Sequence, residues 1–273
     1  MFPLSFAHYE AVLNELKKLQ MNTLFAQAVL EDKVPGRIYT DDNSSPSAFY
    51  IVHPYGMSFL FGRPEDASFV QSLGAYITNE KQQRKQAEWL QIDSPAWSEA
   101  VPELRDLSFG GVEEHVRVNF RFHEDRFRAG RAAVPDSGLP VLQLSREQAM
   151  GIPGTVIPSS FWRPEGLPSS AWIPSPTPDP DAAFGVIENG VIASVAFTSY
   201  LSDRELEIGI ETAEGYKGRG LAYESSSALI EYCLRHDLEP VWGCREGNIG
   251  SYRLARKLGF EPIRTLPYYH LPA

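Results

Sequence analysis

The chain has 273 residues, of which 43% are hydrophobic and 22% charged, and its formal net charge at pH 7 is -10. This composition is typical of a globular protein and argues against disorder. The acidity disfavours a broad nucleic-acid-binding surface and is compatible with a cationic small-molecule partner, although solubility alone explains it equally well. The length corresponds to two domains of ordinary size.

Two cysteines, Cys233 and Cys244, are too few for a disulfide scaffold and fit a reducing compartment. The first residues do not show a basic segment followed by an apolar one, so no secretory signal is predicted. No apolar run approaches the ~20 residues that a membrane helix needs. We therefore expect a cytoplasmic protein that does not associate with a membrane.

The first half of the chain shows both helical and strand patterns. Hydrophobic periodicity predicts helices up to Pro35-Gly36, followed by a β-hairpin between Ala48 and Phe61. A polar helix is expected from Asn79 to Leu90. Apolar residues then alternate with polar ones from Val116 to His123, which predicts a strand with one solvated face.

A domain boundary is predicted near the middle of the chain. The segment from Gly130 to Pro140 contains two glycines and two prolines and lacks apolar periodicity. We therefore predict domains over residues 1–135 and 136–273. A second stretch, from Pro164 to Pro180, is rich in proline and is typical of extended, semi-rigid chain.

The C-terminal third predicts the order strand, strand, strand, helix, strand, helix, strand. Asn189-Gly190 indicates a tight turn between the first two strands, and Glu205–Thr212 alternates as the third. A glycine-rich connection then leads into a helix predicted from Leu221 to His236. The remaining elements are a short buried strand, a helix and one or two closing strands, predicted at Pro240–Cys244, Tyr252–Leu258 and Phe260–Leu271.

The glycine-rich connection is the feature that most strongly indicates a functional site. Its sequence is Gly215-Tyr216-Lys217-Gly218-Arg219-Gly220-Leu221-Ala222. Gly218 and Gly220 allow a tight turn and a close approach of a ligand to the backbone. The first N–H groups of a helix lack intrahelical partners and favour an anion, and Lys217 and Arg219 add positive charge. The pattern matches neither a P-loop nor a dinucleotide fingerprint. It predicts a pyrophosphate site, although a purely structural turn explains it about equally well.

A second motif follows downstream, at Asn248-Ile249-Gly250-Ser251 and Lys257-Leu258-Gly259-Phe260. Together with Glu207-Ile208-Gly209-Ile210 and the glycine-rich connection, these residues resemble the GNAT acyltransferase superfamily in order and spacing. The resemblance covers residues 140–273. It implies an α/β fold (α+β, with a mixed sheet) in the C-terminal half, preceded by a degenerate GNAT-like α/β half. We expect this N-terminal half to bind no cofactor, because residues 1–135 contain no glycine-rich loop.

The resemblance implies an N-acetyltransferase that uses acetyl-CoA as the donor. The pantetheine arm would pair with the strand Ile208–Thr212, and the pyrophosphate would bind amides of the glycine-rich connection. The cofactor-binding residues implied are Ile208, Ile210, Thr212, Tyr216, Lys217, Gly218, Arg219, Gly220, Leu221, Ala222, Asn248, Ser251 and Tyr252. Two positions depart from the family pattern: Gly215 stands where Gln or Arg often begins the loop, and Ala255 stands where some members carry a tyrosine acid.

Acetylation of a primary amine requires removal of a proton from an ammonium group with a pKa of ~10.4. A carboxylate on the cofactor strand can act as the general base and can attract the cation. Glu207 is the first choice, Glu211 the second and Glu205 the third. A solvated position on a strand explains each of them at least as well.

Two further roles follow from the same chemistry. Backbone N–H groups near Ile210 would stabilise the oxyanion. Tyr252, Tyr268 or Tyr269 would donate a proton to the departing thiolate, although packing accounts for each tyrosine about as well.

Covalent and metal-dependent routes are disfavoured. Cys244 has no histidine at a spacing that would activate it. The histidines, among them His115, His123, His236 and His270, do not show the His-x-x-x-His or His-Glu-x-x-His spacing of a zinc site, so no metal site is expected.

Within the superfamily, the whole chain resembles the zwittermicin-A-resistance type of self-protection acetyltransferase and a related group that protects producers of paenilamicin-like antibiotics. The residues that carry this narrower resemblance are Asn22, Phe25, Pro35-Gly36, Tyr39, Asp41-Asp42, Pro46, Pro158 and Phe161-Trp162. It implies acetylation of a primary amine on a cationic peptide or aminopolyol antibiotic. A CoA-sensing module without turnover, and acetylation of an aminoglycoside or of a protein N-terminus, are the alternatives.

Overall fold

A computed structural model describes residues 1–107, 111–133, 140–145, 148, 152 and 182–273. The strands are β1 (Phe2–Pro3), β2 (Arg37–Thr40), β3 (Ala48–Val52), β4 (Met57–Gly62), β5 (Glu88–Ile92), β6 (Glu113–Phe122), β7 (Val141–Leu144), β8 (Ala183–Glu188), β9 (Val191–Leu201), β10 (Glu205–Thr212), β11 (Glu239–Val241), β12 (Gly243–Arg245) and β13 (Phe260–Leu271). The helices are α1 (Tyr9–Leu16), α2 (Leu24–Leu30), α3 (Ala67–Ile77), α4 (Ala96–Ala100), α5 (Pro102–Arg105), α6 (Glu124–Ala133), α7 (Leu221–Arg235) and α8 (Ile249–Lys257). Among the described helices, none combines the length and the apolar character needed to cross a membrane.

The chain divides into two compact units that do not follow chain order. The first unit comprises Met1–Val118, Arg245–Gly247 and Arg264–Ala273, and the second comprises Asn119–Cys244 and Asn248–Ile263. Strands β6, β12 and β13 therefore each contribute residues to both units. The boundary predicted between residues 135 and 136 lies outside the described residues, and the division into 1–135 and 136–273 stays a prediction.

The first unit contains most of an eight-stranded sheet with the order β1-β2-β3-β4-β5-β13-β6-β12. Strands β1 to β4 are antiparallel neighbours, β4 pairs in parallel with β5, and β5 pairs antiparallel with β13. The parallel pair requires a crossover, which α3 supplies. Side chains of the sheet, α3 and α4 form one buried cluster that includes Tyr50, Leu60, Leu73, Trp97 and Tyr269.

The second unit contains a five-stranded sheet with the order β11-β10-β9-β8-β7. Its neighbours are antiparallel except for β10 and β11, which α7 connects as a parallel pair. Asn189 and Gly190 form the turn between β8 and β9 with φ values of 52° and 77°, as the sequence predicted. Helix α7 packs across β8, β9, β10 and β11. The predicted order of elements in this part of the chain is confirmed, except that two strands stand where one was predicted at Pro240–Cys244.

The helix predicted from Asn79 to Leu90 is wrong. Helix α3 ends at Ile77, and Glu88–Ile92 forms strand β5 instead. Asn79 and Gln82 adopt left-handed φ values of 56° and 49°, which a right-handed helix does not accommodate. The side chain of Asn79 then holds the loop by binding both the N–H and the C=O of Arg84, at 2.9 and 3.1 Å.

The short strand predicted at Pro240–Cys244 is two strands. β11 belongs to the five-stranded sheet and β12 to the eight-stranded sheet. Trp242 lies between them and is 2% exposed. An apolar run of this length does not show by periodicity where the chain leaves one sheet for another.

Asp41, part of the narrower resemblance, organises the loop between β2 and β3. Its Oδ1 accepts hydrogen bonds from the N–H groups of Ser47 and Ala48 at 2.8 and 3.1 Å. Burial alone would raise the pKa of Asp41, but the hydrogen bonds from Ser47, Ala48 and Thr40 hold it below its ordinary value. These contacts give the residue a structural role. Part of the same resemblance lies outside the described residues, namely Pro158, Phe161 and Trp162.

Gly259 ends α8 with a φ of +88°, and a Cβ there would lie 2.7 Å from the backbone nitrogen of Phe127. We expect Gly259→Ala to lower the free energy of unfolding by more than ~2 kcal/mol, because both the left-handed conformation and the clash are unfavourable. Gly190→Ala is the matched control, since its φ is +77° and no atom lies within 4 Å of the new Cβ. Urea denaturation of both variants tests this, and equal losses would contradict the packing described at Gly259.

Candidate active site

The pairing between β10 and β11 ends part-way along β10. The parallel ladder consists of Glu205–Glu239, Leu206–Pro240 and Glu207–Val241. On its other side, β10 stays paired with β9 as far as Thr212. Within the described residues, the edge of β10 that faces away from β9 is therefore paired up to Glu207 and not along Ile208–Thr212. Backbone groups on such an edge are available to an extended ligand, which can add to the sheet as a strand would.

A β-bulge lies at the point where the two strands separate. Glu207 is opposite Tyr200 and Ile208 is opposite Thr198, so β9 has one extra residue, Ser199, in this register. A bulge increases the local twist and re-aims the side chains beside it. It therefore marks the start of the unpaired stretch of β10.

The two faces of β10 differ. Thr212 lies on the side covered by α7, because its hydroxyl is 2.9 Å from that of Ser194, whose carbonyl accepts a hydrogen bond from Ser225 of α7. Ile208 and Ile210 share this face by alternation. Gly209 faces the opposite side, where a Cβ would overlap the ring of Phe197.

Glu205, Glu207 and Glu211 share the face of Gly209, opposite α7. Glu207 is 9% exposed and stands at the last paired position of β10. Burial raises the pKa of Glu211, and the charge of Lys217 opposes that rise. Glu205 lies at the start of the strand, opposite Glu239 in the paired stretch. Of the three predicted bases, Glu211 therefore lies in the unpaired stretch, Glu207 lies directly before it, and Glu205 lies away from it.

The glycine-rich connection presents an open row of backbone N–H groups. Gly218 and Gly220 have φ values of +75° and +83°, and a Cβ at either position would meet nothing within 4 Å. Gly220 is the N-cap of α7 and supplies no side chain to it. In the part of the chain described, the N–H groups of residues 218–222 donate to no protein acceptor. This arrangement fits an anion at the N-terminus of α7.

The basic side chains of the connection are already paired. Lys217 Nζ lies 2.5 Å from Glu214 Oε2, and an Nη2–Oε1 distance of 2.9 Å joins Arg219 to Glu188. The Arg219 guanidinium also lies 5.3 Å from the centre of the Tyr216 ring. Tyr216 in turn packs on a buried cluster that includes Leu221. The connection is thus fixed at both ends, while its exposed pairs can exchange partners at little cost.

The second motif begins α8. Asn248 is the N-cap, and its Oδ1 accepts a hydrogen bond from the N–H of Ser251 at 3.2 Å. The hydroxyl of Ser251 accepts one from the indole N–H of Trp242 at 3.1 Å. Ser251 therefore anchors the residue between β11 and β12, where the chain passes from one sheet to the other.

The three candidate tyrosines occupy different environments. Tyr252, on α8, is half-buried with its ring edge-on to Phe120 at 5.4 Å. Tyr268 donates its hydroxyl proton toward the sulfur of Met57 at 3.2 Å. Tyr269 is fully buried in the first unit, and burial raises its pKa to about 12. The contacts of Tyr268 and Tyr269 favour the packing role that the sequence left open for them.

The other candidate groups have structural surroundings. Cys233 is fully buried, and burial raises the pKa of its thiol to about 12, while Cys244 is 5% exposed. His123 lies 3.2 Å from Glu261, and the ring of His236 lies 4.3 Å from that of Tyr232. Within the described ranges, no group of three or more His, Cys, Asp or Glu side chains is placed to hold a metal ion.

Residues 182–269 match the GNAT acetyltransferase family model. The chain is 24% identical over 272 residues to the uncharacterized N-acetyltransferase YdfB of Bacillus subtilis, covering 95% of this chain and 99% of YdfB. A GCN5-related N-acetyltransferase-like protein from Streptococcus suis superposes with a TM-score of 0.67 at 20% identity, over 97% of this chain and 99% of that one. A tandem GNAT protein from the clavulanic acid biosynthesis pathway gives 0.61 at 11% identity, over 99% and 97%.

Because residues 182–269 match this family model, we refer to them as the GNAT domain. The structural likeness extends over the whole chain, so the mixed α/β fold predicted from the sequence, with GNAT-like architecture in both halves, is confirmed. The coarser prediction of an N-acetyltransferase enzyme is confirmed with it.

The GNAT domain contains features that the sequence motifs did not reveal. The separation of β10 from β11, the bulge at Ser199 and the Trp242–Ser251 hydrogen bond each depend on pairing between distant segments. The pair between Arg219 and Glu188 is also long-range. In the sequence, Gly209 stands between Glu207 and Glu211 on the predicted strand. A glycine within a strand often marks the close approach of another group, so this residue could have indicated an irregular strand.

The site fits the acetyl-CoA that the fold implies. The donor set for its pyrophosphate is a row of N–H groups at a helix N-terminus, beside two glycines where a Cβ would occupy open space. The unpaired backbone of Ile208–Thr212 suits an extended arm with amide groups.

The pKa of Glu211 provides a direct test of the charge distribution. Because Lys217 lowers this pKa, Lys217→Met should raise it further above its ordinary value. Lys81→Met is the control, since Lys81 is exposed in the loop between α3 and β5. A carboxyl NMR titration of each variant measures the shift. A fall in the Glu211 pKa in Lys217→Met would show that the two groups do not interact as described.

Proposed function

We propose that the protein transfers the acetyl group of acetyl-CoA to a primary amine on a cationic small molecule. The observation that carries this proposal is the early end of the β10–β11 ladder directly before a connection with unpaired N–H groups. The first feature suits an extended amide-containing arm and the second suits a diphosphate, and acetyl-CoA has both.

Acetyl-CoA supplies the acetyl group as a thioester. We propose that backbone groups of Ile208–Thr212 bind its arm and that the N–H groups of residues 218–222 bind its pyrophosphate, with Lys217 and Arg219 exchanging their present partners for phosphate. Asn248, Ser251 and Tyr252 of α8 would complete this site. Fixing the donor in this way makes the reaction with a bound amine effectively unimolecular.

Glu207 is proposed as the general base. Glu211 is the second carboxylate on the face of β10 opposite α7, where we propose that the acceptor binds and which we call the acceptor face. Glu207 would take the proton from the ammonium group, directly or through water, so that the amine nitrogen can bond to the acetyl carbon as the bond to sulfur breaks. Both glutamates share the face opposite α7, and together they favour a cationic acceptor. Backbone N–H groups near Ile210 would stabilise the developing oxyanion, and Tyr252, on α8, would donate a proton to the leaving thiolate.

We propose that the N-terminal half does not bind acetyl-CoA, which two contrasts with the GNAT domain support. Strand β4 pairs with β5 through four positions, from Met57–Trp89 to Leu60–Ile92, so the ladder continues where that of β10 has ended. The side chain of Asp66 caps α3 by accepting from the N–H of Phe69 at 2.6 Å. A carboxylate at that helix end repels a phosphate and occupies the donors that it would need.

The biological role proposed is self-resistance, in which the protein acetylates a cationic peptide or aminopolyol antibiotic. This narrower proposal rests on the sequence resemblance and on the two carboxylates of the acceptor face. The experiment is incubation of the protein and acetyl-CoA with polyamine-peptide antibiotics, aminoglycosides and peptides with a free N-terminus, followed by mass spectrometry. Addition of one acetyl group to the first class alone supports the role. Acetylation of another class redirects it, and tight acetyl-CoA binding without any turnover would favour a sensor.

Substitutions at Gly218 test the pyrophosphate site. Gly218→Asn and Gly218→Asp place side chains of similar size in the open space, and both residue types tolerate a positive φ. We expect both to weaken acetyl-CoA binding, with Asp at least about tenfold weaker than Asn because it adds charge repulsion. Isothermal titration measures the affinities. Gly111→Asn is the control, since Gly111 has a φ of +68° and its nearest non-neighbouring atom is 3.6 Å from the new Cβ. Wild-type affinity in Gly218→Asp would exclude the loop as the phosphate site.

Substitution of the proposed base separates catalysis from binding. Glu207→Gln should lower kcat by about 10²–10³-fold and leave the acetyl-CoA affinity unchanged, because the group acts only in proton transfer. Glu205→Gln is the matched control on the same strand face and should change kcat little. An unchanged kcat for Glu207→Gln across pH 6–9, with Glu211→Gln strongly impaired, would assign the base to Glu211 instead.

A further inference from the structure

Trp242 stands between β11 and β12, where the chain passes from the five-stranded sheet to the eight-stranded one. It is 2% exposed, and its ring packs against that of Phe260 with the ring centroids 5.5 Å apart. Packing of this kind requires only an apolar ring. Two polar groups of the residue, its indole N–H and its main-chain carbonyl, make hydrogen bonds in addition. These two bonds lead to the surroundings of a single side chain of the candidate site.

The first bond connects Trp242 to the beginning of α8. Its indole N–H donates to the Ser251 hydroxyl at 3.1 Å, and the N–H of Ser251 donates to the side chain of Asn248, the N-cap, at 3.2 Å. A buried indole N–H usually keeps its acceptor, because a buried donor without one is costly. The first turn of α8, which includes Tyr252, is therefore held at a fixed place relative to the end of β11.

The second bond connects Trp242 to β6. Its main-chain carbonyl accepts a hydrogen bond from the N–H of Phe120 at 3.2 Å. Phe120 is 7% exposed, and its ring meets that of Tyr252 edge-on, with the centroids 5.4 Å apart at an interplanar angle of 64°. Aromatic pairs prefer such an arrangement. Trp242 thus holds both the residue before Tyr252 and the ring on which Tyr252 packs, and all four residues belong to the second unit.

The ring of Tyr252 is held, but its hydroxyl is open. In the part of the chain described, this hydroxyl makes no hydrogen bond, and it is not shielded from solvent. The hydroxyls of the other two candidate tyrosines are already engaged, that of Tyr268 with the sulfur of Met57 at 3.2 Å and that of Tyr269 with Ser98 at 2.9 Å. A fixed ring with an open hydroxyl is the arrangement that suits a proton donor to a bound ligand.

We infer that Trp242 is a positioning residue for acetyl transfer, which acts through Ser251 and Phe120 to fix the ring of Tyr252. The inference rests on the proposed function, in which the Tyr252 hydroxyl passes its proton to sulfur as the bond between sulfur and the acetyl carbon breaks. The phenolate that remains then takes a proton from water. A displacement of ~1 Å in a reacting group can lower a rate by ~10²-fold, so contacts that fix one ring affect the rate of the reaction.

Trp242→Phe tests the inference because it keeps an aromatic ring and removes the indole N–H. We expect kcat to fall about tenfold and the acetyl-CoA Kd to change less than about threefold, since the main donor contacts lie on β10 and before α7. Steady-state kinetics and isothermal titration measure the two quantities. Trp97→Phe is the matched control. It removes an indole that is 0% exposed in the first unit, and it should leave both quantities at their wild-type values.

A double-mutant cycle separates positioning from general support of the fold. Tyr252→Phe should lower kcat about 10²-fold, because it removes the proton donor. Adding Trp242→Phe to this variant should cost less than about twofold more, since no hydroxyl remains to be positioned. An equal loss in both backgrounds would show that Trp242 only supports the fold and would overturn the inference. An unchanged kcat in Tyr252→Phe would overturn it as well and would leave the proposed acetyl transfer standing.

NMR of the full chain tests the contacts without relying on activity. Ser251→Ala should move the indole N–H signal of Trp242 upfield and speed its exchange with water, whereas Ser251→Thr, which keeps the hydroxyl, should not. The nuclear Overhauser effects between the rings of Tyr252 and Phe120 should weaken in Trp242→Phe and persist in Trp97→Phe. Unchanged effects in Trp242→Phe would overturn the inference. Absence of acetyl transfer by the wild-type protein would refute the proposed function, and the NMR result would still decide whether Trp242 holds Tyr252.

Discussion

The separation of two parallel strands is the constraint on which the GNAT domain depends. β10 is paired with β9 from Leu206 to Thr212 but with β11 only up to Glu207. In the part of the chain that the structure describes, the remaining backbone edge of β10 has no partner strand. Backbone N–H and C=O groups must be satisfied, by water or by a ligand that behaves as a strand. The bulge at Ser199 lies on the β9 side of the point where the strands separate, and Trp242, bonded to Ser251, directly follows β11. The candidate site for the acetyl donor is therefore formed mainly by unpaired backbone groups, and side chains make a smaller contribution to it.

The two halves of the chain show how few residues separate an uncapped helix N-terminus from a capped one. α7 begins at Gly220, which has no side chain with which to satisfy the first N–H groups. α3 begins at Asp66, which satisfies one of them itself. Pro64, two residues earlier, also lacks an N–H to donate. The same helix position is thus a donor surface in one half and a self-capped end in the other.

Local signals allowed most of the second unit to be predicted. The Asn189-Gly190 turn, the alternation in β10 and the glycines before α7 each act over a few residues, and each appears in the structure where the sequence indicated it. The errors concern tertiary pairing. Residues 79–90 have a polar composition that suits a helix, yet Glu88–Ile92 is recruited as a strand between β4 and β13. The change of sheet at Trp242 also depends on residues far apart in sequence, and periodicity carries no information about it.

Strand β13 contributes residues to both units, and this affects how the protein folds during translation. The first unit draws Tyr269 and Leu271 into its buried cluster, and Arg84 binds the carbonyl oxygen of Pro272 at 2.5 Å. These residues leave the ribosome about 150 positions after the rest of that cluster, at a rate of ~5–20 residues per second. For several seconds the nascent N-terminal half has an unfilled edge beside β5. That edge is covered only when β13, the last strand of the sheet to be synthesised, pairs with β5.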